Sequence, residues 1–223
     1  MEEKSYKYYD IIMALFVAVL LISNIASTKI LSLWKFNFDG GTLLFPLSYI
    51  FGDILTEVYG YKKARRVIWT GFFAAGLMGL VLMIVTKLPA AADWPFQDDF
   101  QNILGMTPRI IIASLVAFFA GSFSNSYILA KLKVVTKGKF LWIRTIGSTI
   151  VGEGIDTVLF ILIAFLGVLP TSLLIAVFIS NYVFKTGMEV VLTPVTYRIV
   201  KFLKSKEGVD YFDRETNFNP FKG

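Results

Sequence analysis

The chain has 223 residues, 56% of them hydrophobic, with a mean hydropathy of +0.66 and a formal net charge of +6. Soluble domains are about 45–50% apolar, so an integral membrane protein is expected, and the positive excess reads as topology and lipid-headgroup contact with no nucleic-acid partner. The chain has no His and no Cys, which excludes disulfides, thiol chemistry, His or Cys metal sites and His general-base catalysis.

In chain order, apolar runs predict helices at about 8–33, 42–61, 64–88, 108–132, 144–167 and 170–202, each reaching or approaching the ~20 residues that a crossing requires. The first run is too long for a signal peptide and has no small-residue cleavage site at the usual distance, so it reads as a retained helix. The second is the least apolar. The last is longer than one crossing, opens at Pro170 and has a kink point at Pro194. The expected fold is all-α and polytopic, with residues 1–204 as a six-helix membrane domain. Residues 205–223 read as a loosely ordered cytoplasmic tail. Trp34, Trp69, Trp94 and Trp142 fall near predicted span ends, as interfacial anchors do, and Ala90 to Gln101 reads as an outer interfacial segment.

The loops give the orientation. Lys62, Lys63, Arg65 and Arg66 follow the second run; Lys131, Lys133, Lys137, Lys139 and Arg144 follow the fourth; Arg198, Lys201, Lys204 and Lys206 end the sixth. The loop after the third carries Asp93, Asp98 and Asp99 instead. The positive-inside rule therefore places both termini in the cytoplasm. Ser23-Asn24 recurs as Ser124-Asn125, and Gly52-Asp53 as Gly152-Glu153. The near-equal offsets are compatible with a 3+3 inverted repeat, although two dipeptides are weak evidence and Ser180-Asn181 does not fit.

Ionisable groups inside these runs carry the functional signal. Each costs roughly 2.5–3.5 kcal/mol at a helix centre, so it is retained where it pairs, faces water or binds something. Tyr49, Asp53, Glu57 and Tyr61 are spaced by four, beside a small-residue row of Ser48, Gly52, Thr56 and Gly60 that would let another helix, or a second copy of the chain, approach closely. Glu57 lies near the Lys/Arg cluster, where it is either functional or a salt-bridge partner. Thr145, Thr149, Glu153 and Thr157 form a second stripe, with Asp156 one turn from Glu153 and glycines at 147, 152 and 154 thinning the helix. Glu153 and Asp156 either bind substrate or are buried partners of Lys185. Asn181, Lys185, Glu189, Thr193 and Tyr197 form a third stripe, in which Lys185 and Glu189 can pair. Asn24, Thr28 and Asn125 either complete a polar lining or hydrogen-bond between helices. Carboxylates, amides, one ammonium and aromatic rings suit a planar base presenting an N–H pair, or an organic cation.

The run Ser23-Asn24-Ile25-Ala26-Ser27-Thr28-Lys29 and the run from Gly41-Thr42-Leu43-Leu44-Phe45-Pro46 through Gly52-Asp53-Ile54-Leu55-Thr56-Glu57-Val58-Tyr59-Gly60 resemble the queuosine precursor transporter family, formerly grouped as vitamin uptake transporters. Gly152-Glu153-Gly154-Ile155-Asp156-Thr157, Lys185-Thr186-Gly187-Met188-Glu189 and Asn217-Phe218-Asn219-Pro220-Phe221 agree, with Thr157 standing where many relatives carry Ser. The resemblance implies a six-helix inner-membrane importer of cyano- or aminomethyl-deazaguanine, or of queuine, for tRNA modification, without a cofactor. Motif matching carries over Asp53, Glu57, Glu153, Asp156, Lys185 and Glu189.

The expected substrate-binding set is Asn24, Asp53, Asn125, Glu153, Asp156, Asn181, Lys185 and Glu189, with Asp53 and Glu57 as coupling candidates. Glu153, with Asp156 or Glu189, would accept the N1–H and 2-amino group of the base, and Lys185 or Asn181 would donate to its O6. No nucleotide-binding loop of the Gly-x-x-x-x-Gly-Lys-Ser/Thr type is present. The alternative is a substrate-capture subunit of a multi-component ATP-driven vitamin importer. An intramembrane enzyme lacks the required residues, because Ile155 interrupts the nearest protease-like motif.

Overall fold

The computed structural model describes residues 6–33, 36–105, 108–167 and 170–221. Its helices are α1 (Tyr9–Ala26), α2 (Phe45–Tyr59), α3 (Tyr61–Lys87), α4 (Gln97–Leu104), α5 (Pro108–Val135), α6 (Leu141–Phe165) and α7 (Thr171–Glu207). Between α1 and α2 run a short antiparallel hairpin, β1 (Ile30–Leu33) with β2 (Phe36–Asp39), and one 3-10 turn, Gly40–Leu43. Among the described residues five helices, α1, α3, α5, α6 and α7, are long and apolar enough to cross a membrane. The second expected span, α2, has 15 residues, or about 22 Å of helix, against a hydrocarbon core of about 30 Å.

α1 stops at Ala26, short of the expected residue 33. Ser27 Oγ donates to Ser23 O at 2.9 Å and Thr28 Oγ1 to Ile25 O at 2.8 Å, so hydroxyls compete for the last carbonyls of the helix. The apolar run that follows becomes β1, and Gly40 N–H returns to Lys29 O at 2.8 Å. Trp34 lies outside the described residues. α2 ends at Gly60, whose φ of 85° suits glycine alone, so Tyr61 opens α3 and leaves the α2 stripe. In the small-residue row of α2, Ser48 and Thr56 are buried and Gly60 packs under Tyr211, but Gly52 has nothing within 4 Å of a Cβ placed on it.

Helix packing follows the sequence periodicity. α1 buries Tyr9, Ile12, Phe16, Leu20 and Ser23 along one face against α2 and α3. Gly71 of α3 lies under Phe16, where a Cβ would come within 2.8 Å of the ring. α5 and α6 pack along each other. At their crossing a Cβ on Gly152 would lie 2.7 Å from Asn125 Cβ and 3.1 Å from Gly121 O, so glycine sets the separation. Gln97 and Gln101 of the interfacial α4 donate to Thr86 O at 3.1 and 2.8 Å, satisfying an end carbonyl of α3. α7 continues through Pro194.

The tail is docked, contrary to the loose end expected from its polarity. Tyr61 N–H donates to Asp213 Oδ2 at 3.0 Å and Tyr61 OH to Phe218 O at 2.9 Å. Arg65 Nη1 donates to Asn219 O at 2.6 Å, Trp69 Nε1 to Pro220 O at 2.9 Å, and the Lys131 ammonium lies 4.3 Å over the Phe218 ring. The Tyr211 ring covers Gly60 and leaves no room for a Cβ there. Glu207 accepts from Lys7 and Tyr8 backbone N–H and from Tyr59 OH, at 3.1, 2.7 and 3.0 Å. The start of α1 and the ends of α2 and α7 therefore meet at one end of the bundle, with the tail across it.

Candidate functional site

The polar side chains occupy three levels between that tail-covered end and the opposite one. Outermost, at the end away from the tail, is a pocket open to the surroundings. It forms where α1 ends, the 3-10 turn enters α2, α5 begins, and α6 and α7 diverge. Of the residues singled out from the sequence, Asn24, Asp156, Asn181 and Lys185 line it. Phe45 and Phe160 contribute rings, and Ser23, Ser27, Thr42, Ser114 and Thr157 contribute hydroxyls. Lys185 Nζ lies 2.9 Å from Asp156 Oδ2, 3.1 Å from Glu153 Oε2 and 4.2 Å from the Phe45 ring centre. The ammonium thus bridges two carboxylates of α6 and does not pair with Glu189 inside its own helix. Both carboxylates are thus ion-paired with Lys185, and Asp156 also borders the pocket. Asn24 donates to Leu20 O at 2.8 Å and accepts from Ser114 Oγ at 3.3 Å.

The second level lies behind the pocket and is closed to solvent. Asp53, Asn125, Glu153 and Glu189 are buried here, none more than 2% exposed, and none lines the pocket. Asn125 Nδ2 donates to Asp53 Oδ1, so this amide joins α5 to α2. Tyr49 OH donates to Gly152 O at 3.4 Å beside the glycine crossing. Asp53 and Glu189 are electrostatic neighbours, as are Glu189 and Glu153. Carboxyl groups from α2, α6 and α7 therefore converge, one layer deeper than a substrate in the pocket would reach.

The third level is an ion-pair knot under the tail. Glu57 Oε1 accepts from Arg144 Nη2 at 2.7 Å and Lys204 Nζ at 2.6 Å, and Lys133 Nζ stands 3.6 Å away. Lys133 and Lys204 also hold Asp210 Oδ1, at 2.6 and 2.9 Å. Burial opposes ionisation of Asp210, but hydrogen bonds from Lys133 and Lys204 and their charges hold its carboxyl below the usual aspartate range. Glu57 thus takes the salt-bridge role that the sequence left open, and Lys133, Arg144 and Lys204 do more than mark topology.

The pocket hydroxyls and the two Phe rings were not placed in the expected binding set, although Thr157 stands in the α6 stripe and Ser23, Ser27, Thr42 and Phe45 in the motif runs. Single Ser, Thr and Phe residues in apolar helices read as packing. The usable signal was the run Gly41-Thr42-Leu43-Leu44-Phe45, which carries the resemblance and wraps one side of the pocket.

Comparison with known proteins adds family evidence. Residues 39–199 match the family described as "Putative vitamin uptake transporter". The chain is 28% identical over 186 residues to a probable queuosine precursor transporter of Bacillus subtilis, covering 83% of this chain and 81% of that one. It is 25% identical over 138 residues to a probable queuosine precursor transporter of Haemophilus influenzae, covering 59% of this chain and 54% of that one. It is 24% identical over 147 residues to the queuosine precursor transporter of Escherichia coli, covering 66% and 64%. The chain thus spans less than two thirds of the last two relatives. No solved structure matches it.

Proposed function

The chain belongs to the vitamin uptake transporter family, and we propose that it imports queuosine precursors, 7-deazaguanine bases, across the inner membrane. The observation that carries this reading is the Asp156–Lys185 pair in the pocket wall beside the Phe45 ring. A carboxylate accepts two parallel bonds from the planar N1–H and 2-amino pair of a guanine-like base. An adjacent ammonium donates to its O6, and aromatic faces cover its plane. Asp156 is the substrate's acceptor in this reading because it borders the pocket. Glu153 stands behind it and shares Lys185. Asn181 and Asn24 are positioned as further polar contacts, and no cofactor is needed.

Topology belongs to the same reading. α2 serves as a short sixth crossing, and both termini lie in the cytoplasm. The lysine and arginine clusters gather at the tail-covered end, and Asp93, Asp98 and Asp99 follow α3 at the other, in support of that orientation. The pocket then faces outward. The helices α1–α3 and α5–α7 are the two halves of the inverted repeat suggested by the dipeptide offsets.

The test is calorimetric titration of the purified chain with cyano-deazaguanine, aminomethyl-deazaguanine, queuine and guanine, followed by uptake into liposomes containing this chain alone. Saturable binding of a deazaguanine and uptake without an ATPase subunit are expected. Failure to bind any of the four bases overturns the reading, and binding without uptake points to a capture subunit.

A further inference from the structure

Asp53 and Glu189 are poorer in partners than the other buried carboxylates described, of which Glu207 and Asp213 have no cation among the described residues but accept backbone N–H and hydroxyl donors. Glu57 has Arg144, Lys204 and Lys133. Glu153 and Asp156 have Lys185. Asp53, 0% exposed, has only the Asn125 amide on one oxygen, and its Oδ2 has no hydrogen-bond partner among the described residues. Glu189, 1% exposed, has none on either oxygen. The groups acting on the pair are Glu57 and Tyr49 from α2, Asn125 from α5 and Glu153 from α6, and Lys185 of α7 is already engaged by Glu153 and Asp156. No cation among the described residues is left for them. An ionised carboxylate buried without a partner is too costly to persist and takes up a proton instead. Like charge in the same buried layer further disfavours ionisation of both carboxyls at once, so one of them carries a proton.

We propose that Asp53 and Glu189 hold one exchangeable proton between them and that its passage drives uptake, an inference that rests on the transporter reading above. The link to the pocket is short. Glu189 senses Glu153, which shares Lys185 with Asp156. A base that engages Asp156 and draws on Lys185 changes the charge that Glu153 presents to Glu189, so loading of substrate and loading of the proton are coupled. The proton enters from the outer solution and leaves to the cytoplasm, with no covalent chemistry. This displaces Glu57 as a coupling candidate, because its cations already compensate it.

Two measurements on the full chain test this. Infrared difference spectra of purified wild type against Glu189→Gln should show loss of a protonated-carboxyl stretching band, and Asp53→Asn should alter the same band. In proteoliposomes an inward gradient of about one pH unit should support up to about tenfold steady-state accumulation of a neutral deazaguanine, for one proton per base. In Glu189→Gln the accumulation ratio should fall to about one, the value of uncoupled exchange. That ratio does not depend on transport rate, and Asp53→Asn replaces Glu189→Gln if the latter fails to fold. A band unaffected by either substitution, or accumulation driven by sodium and insensitive to pH, overturns the proposal. A band that responds as expected, in a protein that binds no deazaguanine, overturns the substrate reading instead.

Discussion

Glu57, at the tail-covered end, and Asp156, in the pocket at the other, are both buried carboxylates held in ion pairs, yet their settings differ in the supply of cations. Glu57 has Arg144 and Lys204 within 2.7 Å and Lys133 at 3.6 Å, with the docked tail sealing them in. Asp156 shares a single lysine with Glu153 and borders open space. Between them, Asp53 and Glu189 have no cation at all among the described residues. All of these carboxylates are buried, so burial does not separate structural from functional acids here. The number of cations per carboxylate does: it falls from the sealed end to the core, and the poorly compensated groups are the ones with affinity left for a ligand or a proton.

The largest effect that tests this contrast comes from the sealed end. Glu57→Ala takes the shared acceptor from buried Lys133 and Arg144 and from half-buried Lys204 and should cost about 3–5 kcal/mol, read as a lower thermal unfolding midpoint in detergent. An unchanged midpoint would remove the distinction between the two ends. At the open end Asp156→Asn keeps the shape of the side chain but loses a charged acceptor worth about 1.5–3 kcal/mol, so the Kd for a deazaguanine should rise about 10–100-fold with the protein still folded. Glu153→Gln should weaken binding less, and the reverse order would return the substrate contact to Glu153. Gly60→Ala forces a side chain into backbone space open to glycine only, against the Tyr211 ring. A cost of about 1–3 kcal/mol is expected, visible as faster proteolysis of the tail.

The smallest effect is that of Asp210. Its carboxyl is 47% exposed, so Asp210→Asn should cost less than about 1 kcal/mol. The folded-state pKa is depressed, so this contribution is complete above the unfolded aspartate value of about 3.9 and disappears as pH falls through the lower folded value. Hydrogen exchange of the tail should therefore be flat from neutral to mildly acidic pH and rise only in stronger acid. A rise near neutrality would contradict the pairing with Lys133 and Lys204.

Much of this was legible in the sequence because apolar length and charge placement are local. The five long helices, the lysine and arginine clusters and the carboxylate stripes all follow from spacing along one chain. The end of α1 was hidden because Ile30 to Leu33 is as apolar as the helix before it, and only the hydroxyls of Ser27 and Thr28 mark the stop. Pairing between helices was not legible either. Lys185 and Glu189 share a helical face by spacing, yet Lys185 turns to α6, where two carboxylates compete successfully for it. The tail read as loose because its partners are mostly backbone carbonyls, of Asn217, Phe218, Asn219 and Pro220, which composition cannot reveal.

α7, like α2, α5 and α6, reaches every level. It places Asn181 and Lys185 in the pocket, Glu189 in the buried layer and Lys204 in the knot. Pro194 lies between the second and third of these and lacks the amide hydrogen that would tie its own turn to the preceding one. Bending of α7 is therefore cheapest at that point, and a tilt there would move Asn181, Lys185 and Glu189 together while Lys204 stays clamped.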